Sequence, residues 1–228
     1  MKTILSITAA LLLSCAASQA QNTFFPTTAG MKMLYANLDA KGKTSRHIRH
    51  TIKNVEGSAS NLTISYVMEL LDKNMKPQSK SSEIPCTVVI KDNVVFLDMK
   101  QMFADKMNSS SLKVEITGVP MELPGNLQPG QPLKDANMTM TADAGIMKMR
   151  TDMKMTNGKC EAIEKVTVRA GTFTCHKITQ TVTVTVLGKN MVTTVTTWSA
   201  PGIGTVKSES YNDKNKLTGG TELISIER

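Results

Sequence analysis

Apolar and polar residues alternate with a period of two along much of this chain. The clearest run is Thr181-Val182-Thr183-Val184-Thr185-Val186. On a strand, successive side chains point to opposite faces, so its valines share one face and its threonines the other. One face is then buried and the other wet, as in antiparallel sheets. Gly188-Lys189-Asn190 turns the chain and Met191–Trp198 returns. Pro201-Gly202 supplies a tight turn and Gly204 adds conformational freedom before a strand over Thr205–Tyr211. Asn212–Lys216 turns again, and Leu217–Ile226 closes a meander. The first half reads the same way. Strands are expected near Met31–Leu38, His47–Val55, Leu62–Leu71, Ser82–Ile90, Val94–Leu97 and Leu112–Ile116. Turns fall at Lys41-Gly42-Lys43, Gly57-Ser58-Ala59 and Lys91-Asp92-Asn93.

Two stretches break the pattern. Asp98–Met107 predicts one short helix, with Asp98 as N-cap, Gln101 at the capping-box position, and Met99, Met102 and Phe103 on one face. Over residues 118–136, Pro120, Pro124, Pro129 and Pro132 interleave with Gly118, Gly125 and Gly130. Such a stretch cannot be a paired central strand and predicts an extended connection across an end or face of the sheet. Short strands between turn residues make the fold class all-β and antiparallel, with one short helix. Residues 21–228 read as a single domain, without internal repeats.

The first twenty residues read as an export signal and leave the fold argument. Lys2 supplies the positive charge, Ile4–Leu13 the apolar stretch, and Ala16–Ala20 the small residues of a cleavage site before Gln21. A competing reading takes Leu12-Leu13-Ser14-Cys15 as a lipobox, with Cys15 lipidated and the protein tethered to a membrane. No later apolar run reaches the length of a membrane-spanning helix. The formal charge of +8 would ordinarily suggest nucleic acid. Export excludes that partner, and the charges are scattered, with Lys41–Arg46 the densest stretch.

The last third carries a resemblance. Ala170-Gly171-Thr172-Phe173, then Cys175-His176-Lys177-Ile178, then Trp198-Ser199-Ala200-Pro201-Gly202-Ile203-Gly204-Thr205-Val206-Lys207-Ser208-Glu209 occur in order. With Phe24-Phe25-Pro26, Gly30, Leu34, Tyr35 and Gly130–Asp135, this pattern resembles the bacterial exported family called domain of unknown function 3108, with its TapB-type relatives. Two positions depart from it: Arg169 stands where the family often has Pro, and Ser199 where it often has an aromatic residue. The resemblance implies an envelope protein of Gram-negative bacteria built on a large curved antiparallel sheet, a spiral β-roll or open barrel. It makes Gly171, Phe173, Pro201, Gly202 and Gly204 structural motif positions. It implies no activity.

Candidate chemistry is sparse. His47 and His50 are three apart and face opposite sides of a strand, which does not make a metal site, and both read as exposed. His176 directly follows Cys175 and would point to the opposite face, so no Cys–His nucleophile forms there. The pairs Met138/Met140, Met147/Met149 and Met153/Met155 each share a strand face. Core packing, an adaptable apolar ligand surface and Cu(I) ligation all use such thioethers. No nucleophile elbow, zinc-protease motif or phosphate loop occurs. Removal of Cys15 would leave Cys86, Cys160 and Cys175 in an oxidising compartment. A hairpin pairing residue 169 with 172 would put Cys175 opposite 166 and Cys160 opposite 181. That sets Cys160 and Cys175 well beyond disulfide reach, so a Cys86–Cys175 disulfide is expected.

The expectation is an exported, non-enzymatic protein of the periplasm or outer membrane that binds or scaffolds, without cofactor or metal. The alternatives are a carrier holding a lipid or acyl chain on the concave face, or an enzyme acting on envelope polysaccharide through facing carboxylates. For the carrier, the candidate contacts are Val182, Val184, Val186, Trp198, Met147 and Met149. Partners are then an envelope protein or an apolar ligand, with membrane contact only through lipidated Cys15.

Overall fold

The structure, a computed structural model, describes residues 23–58, 60–78, 83–97, 113–143, 145 and 148–228. Within them run thirteen strands: β1 Lys32–Asp39, β2 Thr44–Ser58, β3 Asn61–Leu71, β4 Glu83–Lys91, β5 Val94–Leu97, β6 Lys113–Val119, β7 Met121–Pro124, β8 Ala136–Asp143, β9 Lys148–Val168, β10 Gly171–Val186, β11 Lys189–Ala200, β12 Gly204–Asn212 and β13 Leu217–Glu227. All pair antiparallel in one sheet, in the order β6-β8-β9-β10-β11-β12-β13-β1-β2-β3-β4-β5-β7. The helix expected over 98–107 and the N-terminal segment with Cys15 lie outside the described residues.

The ends of that order explain the shape. β6 and β7 are the two edges, yet they are consecutive in the chain and separated only by Pro120. Val119 pairs with Asn137 of β8, and two residues later Met121 pairs with Leu97 of β5. One chain segment thus joins both edges, and the sheet is nearly closed into a barrel. Pro120 sits where the chain changes partner, so its missing N–H removes no ladder bond. Gly118 just before it has φ +142°, and a Cβ there would collide with the Asn137 carbonyl. The proline-rich connection is therefore partly a strand. Met121–Pro124 pairs with β5 as an edge, where proline is tolerated. The rest runs beside β9, with Gly130 N–H bonded to Cys160 O and Leu133 N–H to Gly158 O.

Three connections use one device. Asp39 Oδ1 accepts from the backbone N–H groups of Lys41 and Lys43, Asp72 Oδ1 from Asn74 and Lys76, and Asn212 Oδ1 from Lys214 and Lys216. In each, the residue after the first donor has positive φ: Gly42, Met75 and Asn215. A short side-chain acceptor that caps the turn explains why these positions are Asp and Asn. Both aspartates titrate below the usual range because those N–H bonds favour the carboxylate.

Bulges in the β9–β10 pairing near Ile178 and Thr181 bend the longest hairpin. Its tip folds onto β13, three strands further along the sheet. The Arg169 backbone N–H and guanidinium bind the two oxygens of Glu222, and Ala170 N–H donates to Leu223 O. The turn is a two-residue loop, Arg169-Ala170, with Val168 opposite Gly171. This differs from the expected 169–172 pairing, and it resets the register of the hairpin. Gly171 opens β10 at φ +132°.

The core lies inside the rolled sheet. Directly opposed pairs fill it: Leu62 with Ile90, Ile64 with Val88, and Tyr66 with Cys86. Ile64 and Val88 are fully buried.

Candidate functional site: a cavity inside the sheet

The rolled sheet holds a partly open cavity of about 390 Å³. Apolar residues make most of its wall: Phe24, Phe25 and Pro26 from the segment before β1, Met33 and Tyr35 from β1, Ile48 from β2, Val95, Leu97, Met121 and Leu123 from the closing strands, and Ile178 and Ile203. The polar lining is Asn37, Gln180, Thr197, Ser199, Thr205, Ser208 and Thr221, with His50 and Tyr66. Among the described residues, no charged side chain lines it.

The Phe24-Phe25-Pro26 segment is strapped across the barrel by the turn after β11. Gly202 N–H donates to Thr23 O. Gly204, at φ +88°, lets the Phe24 carbonyl approach to where a Cβ would stand 3.1 Å away. Gly202 has φ +72°. Pro201, Gly202 and Gly204 therefore build the turn that positions both the strap and the cavity residues Ile203 and Ser199. Phe24 meets His176 edge-on at 4.8 Å, and Phe25 tilts against Tyr66 at 5.4 Å.

Two histidines expected at the surface are inside. β2 lies between β1 and β3. His47 is buried, with Nδ1 3.1 Å from Asp72 O. His50 faces the cavity with its ring tilted between Tyr35 and Tyr66, at 5.1 and 5.4 Å. Burial pushes its pKa down to about 4, so the imidazole is neutral. The same burial raises both tyrosine hydroxyls well above their usual range, and the Cys86 thiol adds to the shift at Tyr66. Tyr35 donates weakly to Met33 Sδ, at 3.6 Å. His176 holds the Leu127 backbone through one ring nitrogen, while its buried Nδ1 has no partner among the described residues.

The sequence candidates fall elsewhere. Val182, Val184 and Val186 share the face of β10 that carries Ile178 and Gln180, but lie beyond the cavity towards the strand end. Val184 stands between Met153 of β9 and Met191 of β11, and Met153 pairs with Met138 of β8. These residues are half-buried or exposed; Met191 is 58% exposed and Met149 42%. Met147 lies outside the described residues. Trp198 points to the face opposite Ser199, away from the cavity. Its Nε1–H donates to Glu164 at 2.6 Å, and the Lys177 and Lys207 ammonium groups lie 5.5 and 4.9 Å from its ring centre. Phe173 is half-buried against the core.

The expected Cys86–Cys175 disulfide is not formed. Cys86 faces the interior opposite Tyr66, whereas Cys175, opposite Glu164, sits on the other side of the sheet from cavity-facing His176. Six strands separate β4 from β10. Cys160 is opposite Ile178, only three ladder positions from Cys175 and far nearer than expected, but on the cavity-facing side. All three are buried thiols. Burial raises each pKa, that of Cys175 to about 11 with help from Glu164, which disfavours the reactive thiolate.

The profile of the DUF3108-like family matches residues 28–223. The chain belongs to that family. The strap turn, β10 and the closing strands of this DUF3108-like chain all lie within the match. Two solved structures share the fold. A Bacteroides fragilis protein, described as exported and of YmcC-like fold, is 19% identical, with a TM-score of 0.71 over 90% of this chain and 99% of its own. A Parabacteroides distasonis protein described as a lipoprotein is 22% identical, with a TM-score of 0.73 over 90% of this chain and 98% of its own. No curated protein matches the chain.

Proposed function

We propose that this DUF3108-like protein is an exported, non-enzymatic binding protein of the bacterial envelope that carries a small apolar or amphipathic ligand inside its rolled sheet. The observation that carries this reading is the cavity. Its volume lies at the lower end of small-molecule sites, roughly 300–1,000 Å³. Its wall is largely aromatic and aliphatic, with a few hydrogen-bonding groups, which is the usual make-up of a site for one modest ligand. Export is supported by the signal-like first twenty residues and by the descriptions of the two structural relatives.

The cavity wall offers the polysaccharide-enzyme reading little support, because no carboxylate lines it among the described residues. Native mass spectrometry of the protein taken from its own envelope tests the carrier reading. A co-purifying small molecule, lost on organic extraction and replaced stoichiometrically by an added apolar compound, is expected. A bare protein that takes up no such compound would refute it.

A further inference from the structure

The cavity's polar groups say which ligand it selects. Among the described residues, no Lys, Arg, Asp or Glu side chain lines it. A carboxylate or phosphate drawn inside would lose its water without gaining a counter-charge, which is strongly unfavourable. One lining group stands ready for an uncharged partner. The His50 ring contacts Tyr35 and Tyr66 but makes no hydrogen bond with any described group. Being neutral, it presents one N–H donor and one nitrogen acceptor. His50 is half-buried and its ring lies in the cavity wall, so a ligand there can reach its nitrogens.

We infer that the cavity selects an uncharged amphiphile whose hydroxyl hydrogen-bonds His50. This deepens the carrier reading and rests on it. A hydroxyl can donate to one ring nitrogen or accept from the other, so it matches the neutral imidazole in either tautomer. A carboxylate can only accept. The competing ligand is an anionic amphiphile with its head outside the cavity. A solvent-open groove shares Asn37, Ser208 and Thr221 with the cavity and adds exposed Arg46. An exposed arginine is a weak, salt-screened anchor, whereas His50 lies within the wall itself.

Displacement of bound phenylnaphthylamine, an uncharged fluorescent probe, by dodecanol, dodecanoate and dodecane separates these cases. With the full chain at neutral pH, dodecanol should displace the probe at about tenfold lower concentration than either competitor, the gain of roughly one hydrogen bond. His50→Phe should remove the advantage of dodecanol over dodecane, both measured in that variant, with the melting temperature confirming that it folds. His50→Gln, which restores a donor and an acceptor, should retain it. Stronger displacement by dodecanoate, lost in Arg46→Ala, would overturn the inference in favour of the anionic head. A dodecanol advantage untouched by His50→Phe would also overturn it. In both results the carrier reading survives. If the wild-type chain binds neither probe nor dodecane, both fall together.

Discussion

Two parts of one sheet carry the same alternating pattern and bury it differently. Along β4, at the closed side, buried and accessible residues alternate, with Ile84, Cys86, Val88 and Ile90 inside. Along the last six residues of β10, valines and threonines alternate just as strictly, yet all are half-buried. Alternation therefore marks a strand and its two faces, but it does not say which face is covered. Closure decides that. β4 and β3 face the strap and the far wall across the rolled interior. The outer ends of β8–β11 project past it, with Leu187 80% exposed at the β10–β11 turn.

The largest effect that sharpens this contrast is on stability. Ile64→Ala should cost about 2–5 kcal/mol, the range for a fully buried aliphatic side chain. Val184→Ala should cost about 1 kcal/mol or less, because its site is already half open. Denaturant unfolding of the two variants measures the difference, and equal losses would break the comparison.

Acid should act on the closed side next. The folded pKa of His50, about 4, lies below its ordinary 6.5, so between those values the unfolded chain binds the additional proton. Stability then falls as pH drops from about 6.5 to 4, by up to about 3 kcal/mol from this group. His50→Phe should flatten that window, leaving the loss at lower pH where Asp39, Asp72 and Asp152 protonate. Unfolding free energies at pH 7 and pH 4 for the two chains check this.

The closing segment comes third. Gly118→Ala should cost about 1–3 kcal/mol, since alanine at φ +142° is strained and its Cβ meets the Asn137 carbonyl. Hydrogen exchange should quicken in β6 and β8 and stay unchanged in β3 and β4. Smallest is the pinned hairpin tip. Arg169→Ala should cost no more than about 1 kcal/mol, as its pair with Glu222 is partly exposed, but amides near Phe173 should exchange faster.

Strand positions and the antiparallel class were legible because alternation and turn residues are local signals. Asp39 and Asn212 announce their turns in the same local way. Of the 21-residue β9, the hairpin arm near residues 160–168 was legible and the first half was not: Lys148, Lys154, Asn157 and Lys159 give it little β preference, and it forms because β8 and β10 pair on either side. The cavity was hidden for a different reason. His50 on β2, Tyr66 on β3 and Ser199 on β11 meet only when the sheet rolls, and no spacing along the chain encodes that. The Trp198–Gly204 run was visible as a resemblance, but its role in holding Phe24 and Phe25 across the barrel needed the fold. The thiols show the same limit: hairpin register, face and strand order place Cys86 and Cys175 apart, and counting along the chain gives none of the three.

The most direct measurement is the binding of phenylnaphthylamine to Ser199→Phe and to Val184→Asp, with melting temperatures confirming that both fold. Ser199 lines the cavity, and a phenyl group there would intrude into it; Val184 lies towards the far end of β10. The expected result is that Ser199→Phe abolishes saturable binding and Val184→Asp leaves it unchanged. Binding lost in Val184→Asp and kept in Ser199→Phe would contradict the cavity as the ligand site and move it to the exposed apolar row beyond.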